Sequence, residues 1–215
     1  MLKHILNFIF PPRCLICRSF SSDIFCKECL KDINFLDNIR YFKRSVNTVS
    51  YSSAVYSGSI KKALGLFKFK KKVKIAPFLS SLMNKTVEKN DIIKKHGINV
   101  IVPVPMHKNM LRRRGFNQSR TLAEHISSCF NIPLNTKILI KNKDTVEQNK
   151  LSKKERLVNL KDSFKVNKNE INKDLRILLI DDVYTTGTTI KECVKALKRN
   201  KQVKEVVVLT LARTV

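Results

Sequence analysis

The chain has 215 residues, 43% hydrophobic and 28% charged, enough to bury one substantial core beside a small satellite module and too apolar for a disordered chain. Its 43 Lys and Arg against 17 Asp and Glu leave a formal charge of +26. Such a field attracts polyanions and makes nucleic-acid contact one reading; the other is AT-rich coding, since Lys, Asn and Ile are all abundant and the charge is spread along the chain. No stretch approaches the ~20 apolar residues of a membrane span, which excludes helical insertion in a bilayer. The opening MLKHILNFIFPP has an apolar run too short for a signal-peptide core and no small-residue cleavage site after it, so the expectation is a soluble cytoplasmic protein.

Residues 1–45 read as a first unit: the apolar leader, Pro11-Pro12, then Cys14-x2-Cys17 and Cys26-x2-Cys29 with a short helix from Lys27. Two C-x2-C knuckles eight residues apart offer four thiolates that close tetrahedrally on Zn²⁺, and the polar insert Ser19-Phe20-Ser21-Ser22-Asp23 suits the turn between them. In a reducing compartment the metal reading outweighs two disulfides, with a redox pair or a metal-free knuckle as the alternatives. A four-sulfur shell leaves no open position, so the metal is expected to be structural, folding a unit too short for its own core. The remaining cysteines, Cys129 and Cys193, fall on apolar helical faces and are expected to be buried and inert.

Residues 46–215 read as alternating strands and helices. Val46 to Tyr56 is β-branched and partly alternating, one strand or a hairpin, and ends at Ser57-Gly58. Ile60 to Phe67 has helical spacing and runs into the basic Lys68-Phe69-Lys70-Lys71-Lys72; a second helix is predicted over 74–88. Asn99 to Pro105 is a buried-type strand that its two prolines, Pro103 and Pro105, bring to a stop. After it a loop carries Lys108, Arg112, Arg113 and Arg114; the arginines' forked guanidiniums match phosphate oxygens, and His107 reads as a solvated loop histidine, with a proton donor as the alternative. A helix over 119–130 follows. Lys141 to Lys161 is polar, lacks a β-rich run and is long enough for a mobile flap; Leu175–Ile180 and Glu205–Leu211 supply further strands.

The sharpest stretch is Ile177 to Thr189, ILLIDDVYTTGTT. Four apolar residues without alternation suit a parallel strand covered on both faces, placing Asp181 and Asp182 at its carboxyl end. The Thr/Gly loop then opens a helix from Thr189 to Lys198, the strand-loop-helix turn at which open α/β sheets bind ligands. Backbone amides at such a turn converge on a phosphate, helped by threonine hydroxyls and the helix dipole, and Gly187 lets the main chain approach closely. Two carboxylates repel a phosphate, so their role is to accept hydrogen bonds from vicinal hydroxyls, with Mg²⁺ moderating the charge. A diol a few ångströms from a phosphate is a ribose 5-phosphate. The plain alternative is an acidic strand end followed by a capping threonine.

These thirteen residues resemble the phosphoribosyl-pyrophosphate (PRPP) signature of type I phosphoribosyltransferases. By that resemblance Asp181 and Asp182 hold the ribose 2′ and 3′ hydroxyls, and Thr185, Thr186, Gly187, Thr188 and Thr189 hold the 5′-phosphate. The wider order of pieces resembles the ComF family, bacterial competence-associated proteins with a zinc module ahead of a phosphoribosyltransferase domain. The matching pieces are Pro11-Pro12-Arg13-Cys14-x2-Cys17, the second knuckle, Tyr56-Ser57-Gly58 before a helix ending in Lys68-Phe69-Lys70, Val102-Pro103-Val104-Pro105, Arg114-Gly115-Phe116-Asn117-Gln118-Ser119, and Gln148-x2-Leu151-x4-Arg156-x2-Asn159. Glu147 departs from it, standing where the family often has Pro, which bears on the shape of the flap.

The resemblance implies an α/β fold, a type I phosphoribosyltransferase-like parallel sheet flanked by helices (46–215) preceded by a small four-cysteine zinc-binding module (1–45). It implies PRPP with Mg²⁺ as ligand, Asp181 and Asp182 fixing the ribose, and Arg114, with Arg112 and Arg113, neutralising the departing pyrophosphate. It further implies a role in handling transforming DNA, with single-stranded DNA or competence proteins as partners. No residue reads as a dedicated general base, so the acceptor is unnamed. Three readings stand: a phosphoribosyltransferase, a nucleic-acid-handling competence factor using PRPP or a nucleotide as a regulatory ligand, and a scaffold whose zinc module docks other proteins.

Overall fold

The computed structural model describes residues 11–36, 40–41, 48–69, 72–143 and 162–215. After the short helix α1 (Lys27–Lys31), strands β1 (Arg40–Tyr41) and β2 (Val49–Val55) lead into helices α2 (Gly58–Phe69), α3 (Ala76–Lys89) and α4 (Ile92–His96). Strand β3 (Val100–Pro103), α5 (Lys108–Arg114), α6 (Gln118–Phe130) and the pair β4 (Leu139–Lys141) and β5 (Phe164–Val166) follow. The chain closes with β6 (Leu175–Tyr184), α7 (Thr188–Lys198) and β7 (Val203–Arg213).

The main sheet has the order β1-β2-β7-β6-β3, in which β2, β7, β6 and β3 are parallel and β1 is an antiparallel edge. Side chains alternate across it. Ile101, Leu178, Ile180, Val207 and Leu209 pack with α2, α3 and α6 on one face; Val102, Ile177, Leu179, Val206 and Val208 pack with α7 and the β4–β5 hairpin on the other. Two covered faces explain why ILLI reads as an unbroken apolar run.

The strand expected to stop at Ile180 continues to Tyr184, because the ladder to β7 runs on through Asp181↔Thr210 to Tyr184↔Arg213. On its other side the pairing with β3 ends at Pro103↔Ile180. Beyond the bond from Val104 N to Ile180 O, Pro105 has no N–H to offer, and the two strands part. Asp181 and Asp182 sit where β6 has lost that neighbour.

The cysteine unit is fastened to the body of the molecule. Cys14, Phe25, Cys29 and Ile33 belong to the same buried cluster as α2 and α3, and the Phe25 ring meets Phe78 edge-on at 4.6 Å. The Asp32 carboxylate accepts from Ser59 N and Oγ at 2.7 and 2.8 Å, capping the start of α2, and Leu36 N donates to Ser53 O of β2 at 3.0 Å.

Several expectations are corrected. The arginine-bearing loop is a helix, α5, whose start is capped by the His107 ring accepting from Asn109 N at 3.3 Å and whose end is turned by Gly115 at φ +87°. Helix α4 was not anticipated. It brings His96 against Tyr51 Oη (3.1 Å) and Glu205 (2.7 Å), which also takes Arg176 (2.6 Å), tying α4 to β2, β6 and β7. Cys193 is buried as expected, but Cys129 is exposed: it shares the stripe of Leu122 yet lies in the last turn of α6, past the core. Most of the stretch expected as a flap, residues 144–161, lies outside the described residues; its flanks pair as the β4–β5 hairpin. Among the described residues no helix is long and apolar enough to cross a membrane.

Candidate functional site

Adjacent residues of a strand point to opposite faces, so Asp181 and Asp182 find different partners. Asp181 accepts from Ser119 Oγ at the head of α6 (2.8 Å) and from the amide of Asp182 (2.9 Å). Burial and the negative charge of Asp182 push its carboxyl up to about 7, against the opposing pull of Ser119 and Lys68. Asp182 is only 8% exposed and is paired with Lys68 Nζ at 2.7 Å. Both acids therefore meet polar groups at the edge of the sheet; neither ends in apolar packing.

Beyond Tyr184 the chain turns through Thr185 and Thr186 to Gly187, which stands at φ +74° immediately before α7. A Cβ there would fall 1.9 Å from the Tyr184 hydroxyl, so only glycine lets the turn close over that ring. The helix begins at Thr188, one residue earlier than expected, and its cap residue, Gly187, makes no side-chain capping bond. The first amides of a helix have no intrahelical partner, so this end presents N–H groups and the positive pole of the dipole. At the turn itself Thr186 and Thr188 hydroxyls meet at 3.0 Å, Thr214 Oγ1 donates to Thr185 O at 3.2 Å, and Lys191 N donates to Gly187 O.

The α5–α6 junction reaches the acid pair through Ser119. Arg114 donates from Nη1 to Gln118 Oε1 at 3.0 Å and lies 5.5 Å over the Phe69 ring, while Arg112 and Arg113 are exposed on α5. Asn117 caps α6 by accepting from Ser119 N and Arg120 N, and its Nδ2 donates to Val104 O, fixing α6 to the end of β3. Gln118 is 1% exposed, and among the described residues its Nε2 finds no acceptor. Of the predicted arginines, Arg114 is thus held between Gln118 and Phe69, neighbours of the residues that meet the two acids, and the other two face solvent.

Away from this edge, the Sγ atoms of Cys14, Cys17, Cys26 and Cys29 all lie within 4.8 Å of one another. Four sulfurs at ~2.3 Å from a tetrahedral zinc stand about 3.8 Å apart, so the cluster fits the ion. The amide of Ile16 points at Cys14 Sγ (3.4 Å), and the Cys17 and Cys26 sulfurs approach to 3.5 Å. Four thiolates would satisfy the coordination completely, leaving a structural role. Among the described residues this is the one group of three or more metal-ligating side chains.

Residues 117–214 match the phosphoribosyl transferase domain, and residues 5–40 match the double zinc ribbon domain. The chain is similar to competence protein F of Haemophilus influenzae, 31% identical over 97% of this chain and 100% of that protein. It is also 33% identical to competence protein ComFC of Bacillus subtilis, over 99% of this chain and 81% of that protein. The chain belongs to the ComF family. A third relative, the DNA utilization protein YhgH of Escherichia coli K12, is 30% identical over 68% of this chain and 64% of its own length. In this ComF chain a parallel sheet flanked by helices carries the phosphoribosyltransferase domain, and the four-cysteine cluster forms the zinc ribbon ahead of it.

Sequence reasoning missed Lys68, Ser119 and the acceptor-less amide of Gln118. Each stands in a stretch that carries the ComF resemblance, Lys68-Phe69-Lys70 or Arg114 to Ser119, and that was the available signal. What the sequence lacked was the pairing, since α2 and α6 reach the acids only through the fold.

Proposed function

We propose that this chain binds PRPP, accompanied by Mg²⁺, at the edge where β3 and β6 part, and transfers its phosphoribosyl group to an acceptor. The observation that carries the reading is the juxtaposition of two partly sheltered carboxylates with a helix start turned by Gly187, five residues beyond Asp182. Asp181 and Asp182 accept hydrogen bonds from the ribose 2′ and 3′ hydroxyls. The amides and hydroxyls of Thr185, Thr186, Gly187, Thr188 and Thr189 take the 5′-phosphate.

In the transfer, the bond from the anomeric carbon to the pyrophosphate oxygen breaks, its electron pair leaving with pyrophosphate, and a new bond forms to the acceptor nucleophile. The developing sugar is oxocarbenium-like, so the protein's part is positioning and electrostatics. Arg114, from its fixed place over Phe69, stabilises the departing charge; Arg112 and Arg113 add to the field. Bound Mg²⁺ would supply charge neutralisation for the ligand's phosphates beside Asp181 and Asp182.

The zinc unit (1–45) and the phosphoribosyltransferase-like domain (46–215) act in this reading as one cytoplasmic protein concerned with incoming DNA. Relatives named for competence and DNA utilization support that setting, as does a charge of +26 suited to single-stranded DNA or to acidic competence partners. The charge favours a second reading, in which PRPP or a nucleotide is a regulatory ligand of a DNA-handling factor and is not turned over. Release of pyrophosphate from Mg-PRPP, assayed over a panel of nucleobases and oligonucleotides, tests the choice. Release that depends on one acceptor supports transfer; stoichiometric binding with no release under any acceptor supports sensing.

A further inference from the structure

Lys68 lies in the site, yet the grip on ribose and phosphate described above gives it no task. Its side chain is 20% exposed and that of Asp182 12%, with Nζ 2.7 Å from Oδ2, so the pair is sheltered and not a surface contact. The end of α2 that carries it is fixed on both sides. Phe67 packs against Phe116 with ring centres 5.2 Å apart, and Arg114 lies over Phe69 while donating to Gln118. A lysine between two such anchors has lost much of the rotamer freedom that normally carries an ammonium into bulk water.

An ammonium has three N–H donors. Asp182 takes one, and no other described residue accepts from Lys68 Nζ. The remaining donors sit beside the acid pair, the place where a ribose-bearing anion is otherwise repelled. Lys68 cancels one of the two negative charges that such a ligand meets, and it does so from the protein, while the neighbouring Arg114 is engaged with Gln118 and the Phe69 ring.

We propose that Lys68 is a ligand-binding residue of this site: it fixes the Asp182 carboxylate for the ribose diol and gives its free donors to an anionic oxygen of the phosphoribosyl ligand. The inference rests on the phosphoribosyl reading and adds the side chain that reconciles two acids with an anionic ligand. It also narrows the ligand class to molecules carrying a vicinal diol and an anionic oxygen on one sugar.

The test is calorimetric titration of Mg-PRPP into the wild-type chain, Lys68→Met, Lys68→Arg, Asp182→Asn and the double variant Lys68→Met/Asp182→Asn. Lys68→Met is expected to weaken binding by about tenfold or more, the loss of one charge-assisted contact, with Lys68→Arg recovering most of it. In the Asp182→Asn background no ion pair is left to break; there Lys68→Met weakens binding again when Lys68 meets the ligand and changes nothing when it serves only Asp182. The second result overturns the proposal. Should Lys68→Met alone lose its cooperative melt, the double variant, which leaves no unpaired charge, carries the comparison. A wild-type chain that takes up no Mg-PRPP removes the phosphoribosyl reading and Lys68 with it, whereas wild-type binding undiminished by Lys68→Met removes the Lys68 assignment alone.

Discussion

At Asp181 the fold works against a charge. Burial and the charge of Asp182 push its carboxyl up to about 7 from 3.8, so between those values the folded chain keeps a proton that the unfolded chain has released. The stabilising contribution is complete below the lower value and is lost as pH rises through the upper one. The melting temperature of the ligand-free chain should therefore carry a component that declines from about pH 4 to about pH 7. Asp181→Asn should flatten that component and raise the midpoint at pH 7.5 by about 2–4 °C, the shift of roughly 1 kcal/mol in a chain of this size; melts across pH check both. Gly187 is the other residue held by geometry. Gly187→Ala forces a Cβ onto the Tyr184 hydroxyl at a positive φ and should cost about 1–3 kcal/mol in chemical denaturation. The acids and the glycine were legible because their meaning is local, a strand end and a turn. Lys68 and Ser119 were not, because a lysine and a serine announce nothing until the fold sets them against Asp182 and Asp181.

Elements were legible where a hydrophobic stripe was long. Helices α2, α3, α6 and α7 bury Ile60, Leu79, Leu122 and Val194 at positions their spacing announced. Helix α5 has no buried residue, so periodicity had nothing to register; it exists through the His107 cap and the Gly115 stop. The end of β6 was misplaced for the converse reason. Carboxylates look like a terminus, but the β7 ladder carries them inside the strand while only β3 stops at its prolines. Asn117 is the element-level joint of the site, capping α6 and bonding to β3. Asn117→Ala should lower stability in urea by about 1–2 kcal/mol, the usual cost of a lost N-cap, and should also weaken ligand binding by loosening Ser119. Full stability with weakened binding would show that the cap matters only to the site.

On the scale of the whole molecule, the zinc ribbon and the sheet share one buried cluster, through Cys14, Phe25, Cys29 and Ile33. The cysteine spacing announced a metal; its contribution to the common core appears only in three dimensions. Chelation of zinc should accordingly lower the midpoint of a single unfolding transition, and two separate transitions would show that the units fold apart. The charge of +26 makes its own prediction: affinity for a single-stranded oligonucleotide should fall steeply with salt, and binding already lost well below physiological salt would make the charge incidental. The central claim, that a ribose diol is held by Asp181 and Asp182 while the Thr185–Thr189 turn encloses its phosphate, is tested most directly by one melting experiment with and without Mg-PRPP. The account predicts that Mg-PRPP raises the midpoint of the wild-type chain and leaves that of Asp181→Asn/Asp182→Asn where it was; a wild-type midpoint indifferent to Mg-PRPP would contradict it.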